Sequence, residues 1–231
     1  TTNQKSSGRC WGFAGLNLFR IHLGRKYNLK DFQFSQSYFM FWDKLEKSNY
    51  FLESILKTAD KNWNSRIIMH LLSNPIQDGG QWDMWLNLVN KYGVVPQSEM
   101  PESFSSSRSA VMNRLITRKL RENAMILRNE KNNGSTDEDL QKLKITFLEE
   151  IYKMLTIHLG SPPKSFDWQT RDKKRNFIRY ENLTPKSFYN DHVGLKLDDF
   201  VCLINCPMSD KQYNKVYTVE FLGNVVEGNP I

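Results

Sequence analysis

The chain has 231 residues, 39% hydrophobic and 13% aromatic, enough apolar material for the core of one or two domains. Its net charge of +7 admits a polyanionic partner without demanding one. No run approaches the roughly 18 apolar residues of a membrane span, no signal peptide is visible, and three cysteines cannot build a disulfide framework.

Residues 4–20 read QKSSGRCWGFAGLNLFR and pass from a small polar loop into an almost wholly apolar run at Cys10. Trp11, Phe13, Ala14, Leu16, Leu18, Phe19, Ile21 and Leu23 leave almost no polar face, which predicts a buried helix reaching about Lys26. Cys10 falls in its first turn, where unpaired backbone N–H groups and the helix dipole favour negative charge and hence the thiolate, the nucleophilic form of a cysteine. Ser6, Ser7 and Gly8 are small enough to let a substrate approach. Gln4, six residues upstream of Cys10, can offer its side-chain amide to an oxyanion beside the Cys10 N–H. A lone cysteine is ordinarily an inert small hydrophobe, so the expectation rests on this position.

Further along, Ser35 is placed to cap a helix over 36–58. A shorter helix covers 81–92, with Gly93 as its C-terminal cap. Asp78-Gly79-Gly80 precedes it. An isolated Gly-Gly is most simply a turn, yet it also allows positive φ and close approach of another backbone.

Residues 107–131 form a long helical pattern without Gly or Pro. NNGS breaks it, and Ser135 with Glu138 reads as a capping box for a second helix that Gly160 and Pro162-Pro163 end. The pair is a helical hairpin. Arg114, Arg118 and Arg121 share one face of its first helix, with Arg128 two turns on. Such a row is either a solvated face with local ion pairs or a basic lining facing nucleic acid or a channel. After residue 164, SFDWQT and NFIRYENL can pair across a turn at 171–175. Thr184 and Pro185 supply the N-cap and first position of a short helix. DFVCLINC (199–206) and VYTVEFL (216–222) read as strands, with Cys202 and Cys206 as core thiols. No metal-ligand spacing accompanies them.

QKSSGRCWGFA resembles the active-site segment of papain-like cysteine peptidases, which runs Gln, small residues, Gly, x, Cys, Trp, x, Phe. Ser7 stands where secreted members carry a disulfide-forming cysteine, which suits a reducing compartment and a cytoplasmic location. Segments at 32–54 (FQFSQSYFMFWDKLEKSNYFLES), 74–96 (NPIQDGGQWDMWLNLVNKYGVVP), 100–107 (MPESFSSS), 159–173 (LGSPPKSFDWQTRDK), 184–193 (TPKSFYNDHV) and 213–226 (YNKVYTVEFLGNVV) resemble the bleomycin hydrolase and bacterial aminopeptidase C branch.

The resemblance implies an α+β papain-like fold. Residues 1–102 would be its helical half, 103–163 an inserted helical subdomain projecting from the body, and 164–231 the approach to a β-rich half. It implies Cys10 as nucleophile, Gln4 and the Cys10 amide as oxyanion donors, and Gly79, Gly80 and Gly8 along the substrate backbone. It further implies peptide substrates trimmed from the N-terminus, no cofactor or metal, and a homo-oligomer, a hexamer in this branch. Reported DNA affinity in the branch keeps Arg114, Arg118 and Arg121 as candidate polyanion contacts. Such an enzyme needs a histidine base and an orienting Asn or Asp. His22, His70, His158 and His192 all lie outside the family's histidine motif. The expectation is therefore that the base lies beyond Ile231 and that the chain is the N-terminal portion of a longer enzyme. The competing reading is a nucleic-acid-binding or scaffold protein with a vestigial cysteine.

Overall fold

The computed structural model describes residues 3–200, 205, 208–215 and 219–226. Helix α1 spans Cys10–Lys26 and α2 spans Gln36–Lys57. Ser35 begins α2 as expected, its Oγ accepting the Tyr38 N–H at 3.0 Å. It also donates to the Met100 carbonyl at 2.5 Å, so the cap ties the helix start to a distant loop. α3 (Arg66–Ser73) is a short helix missing from the sequence reading; α4 (Trp82–Tyr92) follows, closed by Gly93 at φ 71°.

A single turn, α5 (Phe104–Ser107), leads into the hairpin helices α6 (Ala110–Asn132) and α7 (Asp137–Leu159). Their cap differs from the expected capping box. Thr136 is the N-cap, accepting from the Asp139 N–H at 3.2 Å, while Ser135 donates to Glu130 at 2.8 Å. Thr136 holds the extended conformation an N-cap requires (φ −70°, ψ 157°).

The hairpin does not project from the body. α6 and α7 pack along α2 and share one continuous core with it. Met112, Ile116, Leu120 and Leu127 of α6 and Phe147, Leu148, Ile151 and Leu155 of α7 are buried in that core. Their spacing of three and four residues is the stripe an amphipathic helix presents to a neighbour. Enclosed in this way, α2 is covered on nearly every side: 17 of its 22 residues are buried.

Among the described residues the sheet is a single antiparallel pair, β1 (Phe166–Arg171) with β2 (Phe177–Leu183). Trp168 is nearly inaccessible and stacks on Tyr180 across the pair. Thr184 caps the one-turn helix α8 (Pro185–Ser187) in a capping box with Ser187. Most of the expected strand at 199–206, with Cys202 and Cys206, lies outside the described residues. Of the expected strand at 216–222 the described part, 219–222, is a turn closed by the Leu222 N–H donating to the Val219 carbonyl at 3.2 Å. No helix among the described residues is long and apolar enough to cross a membrane.

Candidate active site

Cys10 is exposed and opens α1. Arg9 occupies the N-cap position but makes no side-chain cap hydrogen bond, and the first turn holds no acidic residue. The helix therefore presents first-turn N–H groups without a side-chain acceptor beside the thiol, an arrangement suited to an incoming anion. The apolar character of α1 does not bury it all round: Gly12, Phe13, Gly15, Leu16, Phe19 and Leu23 are buried, whereas Leu18 and Ile21 are exposed.

The loop before Cys10 is tied down at each step. The Ser7 hydroxyl donates to the Gln4 carbonyl at 2.5 Å, closing a turn, and the Arg9 Nε donates to Ser7 Oγ at 2.8 Å. The Arg9 guanidinium makes a two-pronged pair with Glu102, 2.9 and 2.8 Å. Burial pushes the Glu102 carboxyl up, but hydrogen bonds and charge from Arg9, with help from Ser106 and Ser37, outweigh it and hold the group below its ordinary value. Main-chain bonds from Ser6 N to Ser107 O, 3.0 Å, and from Ser109 N to Ser6 O, 3.3 Å, strap the loop to the approach of α6. Gln4 is half-buried, and its side-chain Oε1 is enclosed without a hydrogen-bond partner.

The glycine loop meets this segment twice. Gly8, at φ 57°, lies so close to Asp78 that an added Cβ would sit 2.6 Å from the Asp78 Cβ. At Gly80 an added Cβ would sit 2.7 Å from the Trp11 ring, and Gly79 has φ 84°. Both glycines thus have a structural requirement: one for a backbone conformation other residues rarely adopt, one for close approach. The glycine loop thus lies against the segment that carries Cys10, through Asp78 on Gly8 and Gly80 on Trp11.

Residues absent from the sequence reading hold the glycine loop in place. Lys44 and Lys47 on α2 are each about 2% exposed. Lys44 reaches Asp78 Oδ1 at 2.9 Å and the Ile76 carbonyl at 3.3 Å. Lys47 donates to the carbonyls of Gln77 and Gly79, 2.9 and 2.7 Å, and pairs with Asp43 at 3.0 Å. Its ammonium also sits 5.2 Å from the Trp11 ring centre. Burial pushes the Lys47 ammonium below its ordinary value, with Asp43 opposing the shift. The sequence signal was Asp43 and Lys47 spaced i, i+4 in the middle of an aromatic-rich helix, where a charge needs a partner.

Two of the four histidines are engaged elsewhere in the fold, and the other two lie on α1 and α3. His22 lies on α1 twelve residues beyond Cys10, about 18 Å along the axis. His158 Nδ1 bonds the Ser105 hydroxyl at 2.9 Å. His192 is buried, bonded to Tyr27 Oη at 2.8 Å and packed among the rings of Trp168, Tyr180 and Phe188. His70 is exposed on α3. None is hydrogen-bonded to Cys10.

Arg114, Arg118 and Arg121 are exposed on α6, but they do not form a row of free cations. Arg121 donates to the Leu72 and Ser73 carbonyls at the end of α3, 2.8 and 3.0 Å. Arg128 is buried and donates to the Thr58 and Lys61 carbonyls past the end of α2, with its guanidinium over Trp63. Among the described residues no cluster of His, Cys, Asp and Glu could hold a metal ion.

Comparison with known proteins places this arrangement in context. A family model described as the Peptidase C1-like family matches residues 1–231. Aminopeptidase C of Listeria monocytogenes serovar 1/2a is 49% identical over 230 residues, covering 100% of this chain and 52% of the relative. Bleomycin hydrolase of Homo sapiens is 43% identical over 231 residues, covering 98% and 51%. The crystal structure of pepw from Lactobacillus rhamnosis superposes with a TM-score of 0.95 at 49% identity, covering 97% of this chain and 50% of that one. The chain spans about half the length of these relatives.

Proposed function

Since the chain belongs to the Peptidase C1-like family and has a papain-like α+β fold, we propose that it carries the nucleophile-bearing part of a cysteine aminopeptidase. The observation that carries this reading is the exposed Cys10 in an uncapped first turn, beside a glycine loop locked against Trp11.

In the proposed reaction the Cys10 thiolate attacks the scissile carbonyl carbon and forms a C–S bond, while the carbonyl π electrons move onto oxygen. The Gln4 side-chain amide and the Cys10 N–H donate to that oxyanion. Collapse breaks the C–N bond, and the leaving amine takes a proton from the general acid. Water, deprotonated by the same group acting as base, then attacks the thioester and releases Cys10. That group is a histidine supplied from outside these 231 residues. Gly79 and Gly80, with Gly8 opposite, line the peptide backbone of the substrate.

Removal of N-terminal residues, rather than internal cleavage, is favoured by the relatives named aminopeptidase C. Assembly as a homo-oligomer, a cytoplasmic location and the division at residues 102 and 163 belong to the same proposal. The nucleic-acid reading is not favoured, because the relatives at 44–50% identity are named aminopeptidase C and bleomycin hydrolase.

The test uses the intact enzyme and a peptide with a free or an acetylated N-terminus. Release of N-terminal residues from the free peptide alone is expected. Cys10→Ala should lower turnover by at least about 10³–10⁴-fold, as for loss of a catalytic nucleophile. Undiminished hydrolysis in Cys10→Ala refutes the mechanism. The isolated 231 residues should be alkylated at Cys10 by iodoacetamide but turn over no peptide.

A further inference from the structure

We propose that Lys47 is a positioning residue, which sets the Gly79–Gly80 main chain against the nucleophile helix so that it can pair with the substrate backbone. This rests on the peptidase reading above.

The argument starts from the cost of a buried ammonium. Removing a charge from water is expensive, and a well-packed apolar side chain of similar volume usually serves stability as well or better. Lys47 is nonetheless about 2% exposed. One carboxylate, Asp43, offsets its charge at 3.0 Å. Its remaining donors go to two main-chain carbonyls of the glycine loop, Gln77 and Gly79. The bonds are directional, and glycine at φ 84° has no side chain to restrict the loop itself.

The choice of Gly79 as acceptor has a consequence. Its C=O and the Gly80 N–H belong to one trans peptide and point in opposite directions. Holding the carbonyl on Lys47 therefore turns the Gly80 N–H away from the lysine. Trp11, the residue after Cys10, packs against Gly80, with the Lys47 ammonium near its ring. One side chain thus fixes the facing of the glycine strand and its register to the nucleophile helix. Lys44, three residues earlier, does the same for Asp78, which lies against Gly8. Burial also pushes the Lys47 ammonium below its ordinary value, as expected of a charge kept for its geometry.

The test compares two reactions of Cys10 in the intact enzyme. Hydrolysis of a peptide needs the glycine strand, whereas alkylation by iodoacetamide needs only the thiol. In Lys47→Met, kcat/KM for the peptide should fall about 10²-fold, the effect of a misplacement of ~1 Å. The loss should lie mainly in KM, and the alkylation rate should be unchanged. If Lys47→Met does not fold, Lys47→Gln takes its place under the same criteria. An unaltered KM overturns the positioning role. So does a parallel fall in hydrolysis and alkylation, which marks a general loss of structure. Absence of peptide turnover in the parent enzyme sinks the peptidase reading and the positioning role together, whereas turnover in the parent with an unaltered KM in the variant sinks the positioning role alone.

Discussion

Helix α1 is apolar on nearly every side yet leaves Ile21 52% exposed, whereas α2 carries Asp43, Lys44, Glu46 and Lys47 in its middle and buries all four. The starts of the two helices differ in the same sense. α2 begins on a Ser35 side-chain cap, while α1 begins at Arg9 without one and keeps its first-turn N–H groups for the surface beside Cys10. The difference teaches that burial follows from what is packed around a helix. The hairpin covers α2, and the four charged groups are tolerable because each has a partner. Glu46, for example, accepts from Tyr92 Oη at 2.6 Å and pairs with Lys91 at 2.5 Å.

Four substitutions test this contrast. The largest effect is expected at Phe41, fully buried on α2 against Trp42 and Tyr152. Phe41→Ala should destabilise by about 3–5 kcal/mol, read from denaturant unfolding. A cost under about 1 kcal/mol would show that the hairpin does not enclose α2.

Next is the pair that anchors the loop before Cys10. Arg9→Met should cost about 2–4 kcal/mol, because it leaves the Glu102 charge without its partner. The pH dependence has a definite sign. Glu102 is held below its ordinary value of 4.5, so the pair's contribution is complete above about that pH and is lost as pH falls through the lower folded value. In the variant burial acts unopposed by Arg9, so its deficit relative to the parent should be largest near neutrality and shrink in acid. Melting temperatures from pH 3 to 7 read this directly, and a deficit that grows in acid contradicts it.

Ser35→Ala should cost about 1–2 kcal/mol through loss of the α2 cap, with a lowered melting temperature as the readout. The smallest effect is expected on the exposed side of α1. Ile21→Ala should change the stability of the 231-residue chain by no more than about 0.5 kcal/mol. If the same change in the intact enzyme costs several times more, another part of that protein covers this side of α1.

Local signals made much of the fold legible. A Ser before a periodic run placed α2, a Gly placed the end of α4, and Thr-Pro placed α8, because caps depend on a few adjacent backbone groups. The cap of α7 slipped by one residue, since Ser135 and Thr136 are both capable and only the backbone conformation chooses between them. At the candidate site, local pattern placed Cys10 at a helix start, whereas the adjacent glycines alone read most simply as a turn, and only the family resemblance set Gly79 and Gly80 beside a substrate backbone.

The sequence alone determined the start of α2, the end of α4, the start of α8, the antiparallel pair at 166–183 and the place of the thiol at the head of α1, all of which arise from interactions within a few residues. Only the tertiary structure decided that the hairpin lies along α2, that Arg9 reaches Glu102, that Arg121 and Arg128 hold carbonyls of other segments, and that Lys44 and Lys47 point into the glycine loop. The reason is physical. A local pattern specifies which face of an element is apolar, but a buried charge acquires its partner from a segment roughly 30–90 residues away in the cases of Arg9, Lys47 and Arg128, and that pairing exists only once the core has closed around it.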